Sequence, residues 1–112
     1  MKLITYAGDR FTTGDEIAIA IVDYARALAE AGSAATVDVP VRRAQGDTAT
    51  AMLLIGPASQ LMAEDAPDSG DEIEDAVLVA DLRRRTRALD SPTPAGIDDE
   101  PPTIETPDDF DL

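Results

Sequence analysis

The sequence predicts a small α+β domain of two layers, with the element order β-α-β-β(-β)-α and a disordered acidic tail behind it. Two observations predict the domain: apolar residues recur at helical spacing in two segments, and they alternate with polar residues in the stretch between them. A change of composition near residue 90 predicts the tail, because prolines and acids predominate beyond it. A chain of 112 residues has room for one domain, so we assign residues 1–90 to the domain and residues 91–112 to the tail.

The first strand is predicted at the amino terminus. The segment from Leu3 to Tyr6 is rich in strand-forming residues. Phe11 and Thr12 follow a glycine turn, and they either extend this strand or pair with it.

The first helix is predicted from a capping pattern and an apolar face. Thr13 and Glu16 have the spacing of a capping box, in which the two side chains bind the first free amides of a helix. Gly32 is the expected helix end. The apolar face consists of residues at steps of three and four, namely Ile17, Ile21, Tyr24, Leu28 and Ala31.

A hairpin is predicted after this helix. The segment from Val37 to Val41 alternates apolar and polar residues, which is typical of a strand with one buried face. Pro40 has no N–H to donate, so this strand is expected at a sheet edge or with a bulge. Thr48 to Ile55 forms the second strand after a glycine turn. Ser59 to Met62 is either a further short strand or a bent continuation.

The second helix is predicted from a repeated motif. Ser69 to Ile73 repeats the pattern of Thr13 to Ile17, which predicts a capped helix that ends near Leu89. Acids in its first turns and arginines in its last turns match the helix macrodipole. The expected docking stripe consists of Ile73, Val77, Leu78, Ala80 and Leu82.

The side-chain inventory restricts the chemistry. The chain has neither cysteine nor histidine, which removes disulfides, thiolate nucleophiles, histidine bases and most zinc-ligand sets. Ser59 has no base to activate it, so we interpret it as a turn residue. The acids from Asp71 to Asp75 match no calcium-loop spacing and suit a helix start. We therefore expect no enzyme activity, no cofactor and no metal site.

The negative charge lies mostly in the second half of the chain. The net charge is −14, of which residues 1–63 contribute −2 and residues 64–112 contribute −12. Seven of the last fifteen residues are acidic, and five prolines interrupt regular structure after Ser91. An acidic segment with an apolar tip is able to enter a basic groove and anchor there. The predicted partner-binding residues are Asp108, Asp109, Phe110, Asp111 and Leu112.

A cluster of arginines precedes the tail. It consists of Arg83, Arg84, Arg85 and Arg87. Four guanidinium groups in five residues suit contact with an anion. The alternative is structural, since cations stabilise the carboxyl end of a helix and neighbouring carboxylates neutralise them. A third interpretation joins both features: the tail folds back over this cluster as a reversible cover.

These features favour a non-catalytic protein-interaction or regulatory module that presents the acidic tail to a protein partner. Two alternatives stay open: an acidic inhibitor that mimics nucleic acid, and a non-catalytic accessory subunit of an enzyme. Direct binding to nucleic acid is not expected at this net charge. No apolar run approaches the roughly 18 residues that cross a bilayer, so we expect a cytoplasmic protein. A sheet this small leaves a face or an edge uncovered, which favours a homodimer.

One resemblance spans residues 1–64. The strand Leu3-Ile4-Thr5-Tyr6, a helix, a hairpin and then Leu54-Ile55-Gly56-Pro57-Ala58-Ser59-Gln60-Leu61 resemble a family of short actinobacterial proteins of unknown function. The resemblance implies a bacterial origin and the same fold, and it implies no activity.

Overall fold

The computed structural model describes residues 1–43, 45–67 and 69–91 of the chain. Its strands are β1 (Lys2–Tyr6), β2 (Asp9–Thr13), β3 (Ala35–Arg42), β4 (Thr48–Ile55) and β5 (Leu61–Asp65). Its helices are α1 (Asp15–Ala31) and α2 (Ala76–Asp90). One antiparallel sheet with two helices confirms the predicted α+β class. The predicted tail lies outside the described residues from residue 92 onward.

The five strands follow one another across the sheet in the order β4-β3-β2-β1-β5. β1 and β2 form a hairpin around Ala7 and Gly8, whose φ angles are both positive at 52° and 86°. Two such residues form the tight turn that matches the twist of paired strands. Phe11 and Thr12 therefore pair with the first strand and do not extend it. β5 pairs with the other side of β1, so the residues after the Gly56 turn form a further strand.

β3 lies inside the sheet, so the predicted edge position is wrong. The Thr13 hydroxyl donates to the Pro40 carbonyl at 2.7 Å, which shows that this carbonyl points toward β2. A strand residue directs its nitrogen and its carbonyl to the same side, so the missing N–H of proline leaves the ladder to β4 intact. Within the described residues, pairing with β2 is confined to Thr12 and Arg42. The sheet consequently opens between β2 and β3.

One face of the sheet forms the core together with both helices. Alternate residues of β3 and β4 pack against α1, and α2 adds two buried side chains. The buried cluster consists of Ile17, Ala20, Ile21, Tyr24, Leu28, Val37, Val39, Val41, Leu53, Ile55, Val79 and Leu82. Period-two burial in the strands is what the alternating sequence predicts.

The end of α1 is as predicted, and its start is not. Gly32 adopts a left-handed conformation, and its N–H and that of Ser33 bind the carbonyls of Ala29 and Leu28. At the other end Gly14 occupies the cap position without a side-chain bond, so the predicted capping box is wrong. The predicted apolar face is buried except at Ala31, which is exposed.

α2 begins at Ala76, about six residues later than predicted. The Asp75 carboxylate accepts from the Leu78 N–H at 3.0 Å and caps the helix there. The docking face is also rotated from the prediction: Val79 and Leu82 are buried, whereas Val77 is 81% exposed. The segment Ser69 to Ile73, which we call the strap, lies outside the helix and binds other parts of the domain.

Candidate functional site

The strap contains two of the four acids predicted to start α2, Asp71 and Glu72. The Glu72 carboxylate accepts from the Met1 amine at 2.8 Å and from the Asp15 N–H, so it caps α1 and not its own helix. The hydrogen bond from the amine, followed by the bond from Asp15, lowers the pKa of Glu72 below its usual value. On the sheet side, Arg42 Nη1 donates to the carbonyls of Ser69 (2.7 Å) and Asp71 (2.8 Å). Within the described residues, no group of three or more acids is placed to hold a metal ion.

The Ser59 hydroxyl belongs to the turn between β4 and β5. It accepts from the Gly56 N–H at 2.9 Å, and the Ser59 N–H donates to the Gly56 carbonyl at 3.0 Å. This reciprocal pair accounts for the serine as a turn residue.

Three of the four arginines in the α2 cluster bind groups of their own domain. Arg84 pairs with Asp81, and Arg85 Nε lies 2.9 Å from the other oxygen of Asp81. Interaction with the Tyr24 hydroxyl is the main cause of the raised pKa of Arg85. The nearest carboxylate oxygen to Arg83 is that of Glu16, at 3.9 Å. Arg87 lies in the last turn of α2.

This arrangement fits the structural interpretation of the cluster, and the anion or tail contact stays a prediction. The predicted partner-binding residues 108–112 lie outside the described residues. Ser91, which precedes them, is exposed at the end of α2.

A second arginine set lies where β2 and β3 separate. Arg10, Arg42 and Arg43 line a groove of about 450 Å³. Arg10, Phe11 and Arg43 also line an adjoining cavity of about 430 Å³, whose other walls are mainly apolar. Those walls include Tyr6, Val41, Ala51 and Leu53. We call these two spaces, which share Arg10, Phe11 and Arg43 in their linings, the basic groove.

Asp9 also lines the second cavity of the basic groove, but the arginines there form no ion pair within the described residues. In the described part of the chain, no carboxylate oxygen lies within 4.0 Å of the guanidinium groups of Arg10, Arg42 or Arg43. The carbonyl partners of Arg42 orient its guanidinium without cancelling its charge. The arrangement is suited to an anionic group beside an apolar one.

Sequence reasoning missed this groove. Arg10 and Arg43 are 33 positions apart, and only the pairing of Thr12 with Arg42 brings them together. The adjacent pair Arg42-Arg43 was the one available signal, and the strand order needed to interpret it is a tertiary property.

An apolar patch lies beside a further cleft, which shares Tyr6 and Ala7 with the second space of the basic groove. Met52, Leu54 and Met62 are exposed by 72%, 62% and 52%, and Leu54 and Met62 line a cleft of about 890 Å³. The Tyr6 hydroxyl donates to the Leu54 carbonyl across the mouth of this cleft. β1 and β4 are separated by two strands, so this bond shows that the sheet curls strongly. Large exposed apolar side chains that lie together are typical of interaction sites.

No family model, curated protein or solved structure matches this chain. The resemblance of residues 1–64 to short actinobacterial proteins therefore stays an expectation. Neither described helix is long and apolar enough to cross a membrane.

Proposed function

We propose that this chain is a cytoplasmic, non-catalytic interaction module that presents the acidic segment 92–112 to a protein partner. The observation that supports this best is the way the domain holds Asp90, which lies two residues before that segment. Arg26 binds Asp90 through two nitrogens, with Nη2 to Oδ2 at 2.7 Å and Nη1 to Oδ1 at 3.2 Å. This bond is also the main cause of the lowered pKa of Asp90. A two-pronged ion pair fixes direction as well as position, so the residues before the segment, Asp90 and Ser91, are held at an exposed point of the domain.

The segment itself has the composition of a recognition motif. Residues 92–112 contain seven acids and no cation, and Phe110 and Leu112 stand among three of the acids. The charges would steer the segment to a basic surface, and the two apolar side chains would anchor it there.

Partner capture by variants of the full chain tests this proposal. Phe110→Ala combined with Leu112→Ala is expected to weaken capture at least about a hundredfold, because burying such side chains contributes about 1.5 to 3 kcal/mol each. The matched charge variant changes Asp108, Asp109 and Asp111 to Asn and keeps the apolar tip. Binding is measured by titration against the partner identified with the parent chain, and cross-links to residues 108–112 locate the contact.

The two alternatives give different results in the same titrations. An inhibitor that mimics nucleic acid would keep its affinity without the apolar tip and lose it with the charges. An accessory subunit would bind equally well after truncation at Ser91, which removes no described strand or helix. Either outcome would contradict a role for the tip.

We also propose that the module forms a homodimer through β4. This strand lies at the sheet edge, is eight residues long, and contains no charge, proline or glycine. The other edge strand, β5, ends in Glu64 and Asp65, and such charges are what normally protects an edge. Two copies of an uncharged strand meet about a two-fold axis without repulsion, so a second copy fits β4 best.

The substitution Leu54→Lys tests the dimer. It is expected to raise the dissociation constant of the dimer at least about tenfold, because a lysine on the edge opposes pairing. The matched control is Val77→Lys, which also replaces an exposed apolar residue but lies on α2. Mass in solution is measured by light scattering over a range of concentrations. A parent chain that is monomeric throughout, or equal effects of both lysines, would contradict pairing through β4.

A further inference from the structure

We propose that the acidic tip, residues 108–112, docks into the basic groove of its own domain. This inference rests on the proposed function, because the side chains of the acidic tip would also contact the partner. The docked state therefore competes with partner binding. The groove thus becomes a site for an acidic peptide with an aromatic anchor.

The chemistry of the groove selects such a peptide. Arg10 and Arg43 are exposed cations that line both spaces of the groove, and Phe11 also lines both. A phenyl ring placed in the apolar space would have carboxylates on both sides of it at the rim. Guanidinium groups suit carboxylates because they offer several donors in a planar fork.

The remaining cations of the domain explain why the groove is the preferred site. Most of the others are already paired within the described residues: Lys2 with Asp65, Arg26 with Asp90, and Arg85 with Asp81. An anionic segment gains most from charges that have no partner, since displacing an existing carboxylate returns little. Arg10 and Arg43 therefore offer the acidic tip a larger gain in electrostatic free energy than the arginines of α2.

One arginine of the groove, Arg42, is preorganised for binding. Arg42 is held by two strap carbonyls, so its guanidinium is oriented before any ligand arrives. Its carbonyl partners occupy Nη1, which leaves the donors on Nε and Nη2 for a carboxylate. A side chain fixed in advance loses less entropy on binding.

The length of the segment permits the contact. Nineteen positions separate Ser91 from Phe110, and an extended chain of this length spans about 65 Å. The longest elements of the domain, α1 and the eight-residue strands β3 and β4, are each about 26 Å long by rises of about 1.5 Å and 3.3 Å per residue. The tip therefore reaches any side of its own domain.

Fluorescence of a single introduced indole tests the proposal. The chain contains no tryptophan, so Phe110→Trp gives one emission signal. We expect blue-shifted emission and a quenching constant for acrylamide about two- to threefold below that of an exposed indole, because docking shields the ring. Adding Arg10→Glu and Arg43→Glu is expected to abolish both effects. Reversing Asp108, Asp109 and Asp111 to Lys in that background is expected to restore them.

The matched control reverses two arginines of α2, Arg83→Glu and Arg87→Glu, and is expected to leave the emission unchanged. All of these arginines are exposed, and thermal unfolding monitored by circular dichroism checks that each variant is folded. If only the α2 variant releases the indole, the tip binds α2 and the proposal is wrong. Emission that depends on protein concentration would overturn docking in the same chain in favour of a second copy.

Failure of this inference is distinguishable from failure of the proposed function. An exposed indole in the parent background overturns the docking, while partner capture that still requires Phe110 keeps the function. If docking occurs and Arg10→Glu with Arg43→Glu leaves partner affinity unchanged, the docked state does not compete with the partner.

Discussion

Replacing Gly14 by alanine is expected to destabilise the domain by about 3 kcal/mol or more, which is a large part of the stability of a chain this size. A Cβ atom at this position would lie 1.8 Å from the Ile73 carbonyl oxygen. The φ and ψ of Gly14 are −64° and 154°, a conformation open to any residue, so the cost comes from the contact and not from the backbone. Alanine is also a poorer helix cap than glycine. Urea unfolding monitored by circular dichroism measures the loss.

The control for this prediction is Gly56→Ala. Its added Cβ would meet the Ala34 Cβ at 3.5 Å, an ordinary contact, and its effect is expected to stay within about 1 kcal/mol. If Gly14→Ala unfolds at the same urea concentration as Gly56→Ala, the strap does not lie against the start of α1.

The contact at Gly14 explains why two sequence predictions failed together. The segments Thr13 to Ile17 and Ser69 to Ile73 share a pattern, and each was expected to cap its own helix. In the structure the two segments touch: Gly14 lies against Ile73, and Glu72 binds the Asp15 N–H. A capping pattern describes local options only. Here partners 57 residues apart in the sequence provide the contact instead.

The elements that the sequence predicted well are those set by local periodicity. Val37 to Val41 and Thr48 to Ile55 form their hairpin because alternation and a short glycine turn decide strand and register together. The strand order was not accessible in this way. β3 was expected at an edge or with a bulge because of Pro40, yet this proline directs its nitrogen to the side where the ladder to β2 is already broken.

The arginines of the candidate site show the same contrast between local sequence patterns and tertiary structure. The arginines of α2 are conspicuous because they are neighbours in sequence, and helical spacing also brings Asp81 within reach of Arg84 and Arg85. The arginines of the basic groove are distant in sequence and meet only through the fold. Closeness in sequence thus identified the arginines of α2, most of which are paired with carboxylates. The arginines of the basic groove, which have no such pair within the described residues, could be identified only once the strand order was known.

Leu82→Ala is expected to cost about 2 to 5 kcal/mol of unfolding free energy, because Leu82 is fully buried between α2 and the rest of the core. Truncation there removes apolar contacts and leaves a cavity, and the adjacent helix turn is fixed by a 2.8 Å bond from the Thr86 hydroxyl to the Leu82 carbonyl. Little relaxation is therefore expected to fill the space.

The paired substitution Val77→Ala decides how α2 is rotated. Val77 belongs to the stripe expected from the sequence, but it is 81% exposed, so its truncation is expected to change stability by no more than about 0.5 kcal/mol. Alanine is also the better helix former, which favours a small gain. Both variants are measured by urea unfolding under the same conditions. A loss at Val77 that equals the loss at Leu82 would mean that Val77 packs against the core. The buried positions of Val79 and Leu82 require a much smaller loss at Val77 than at Leu82.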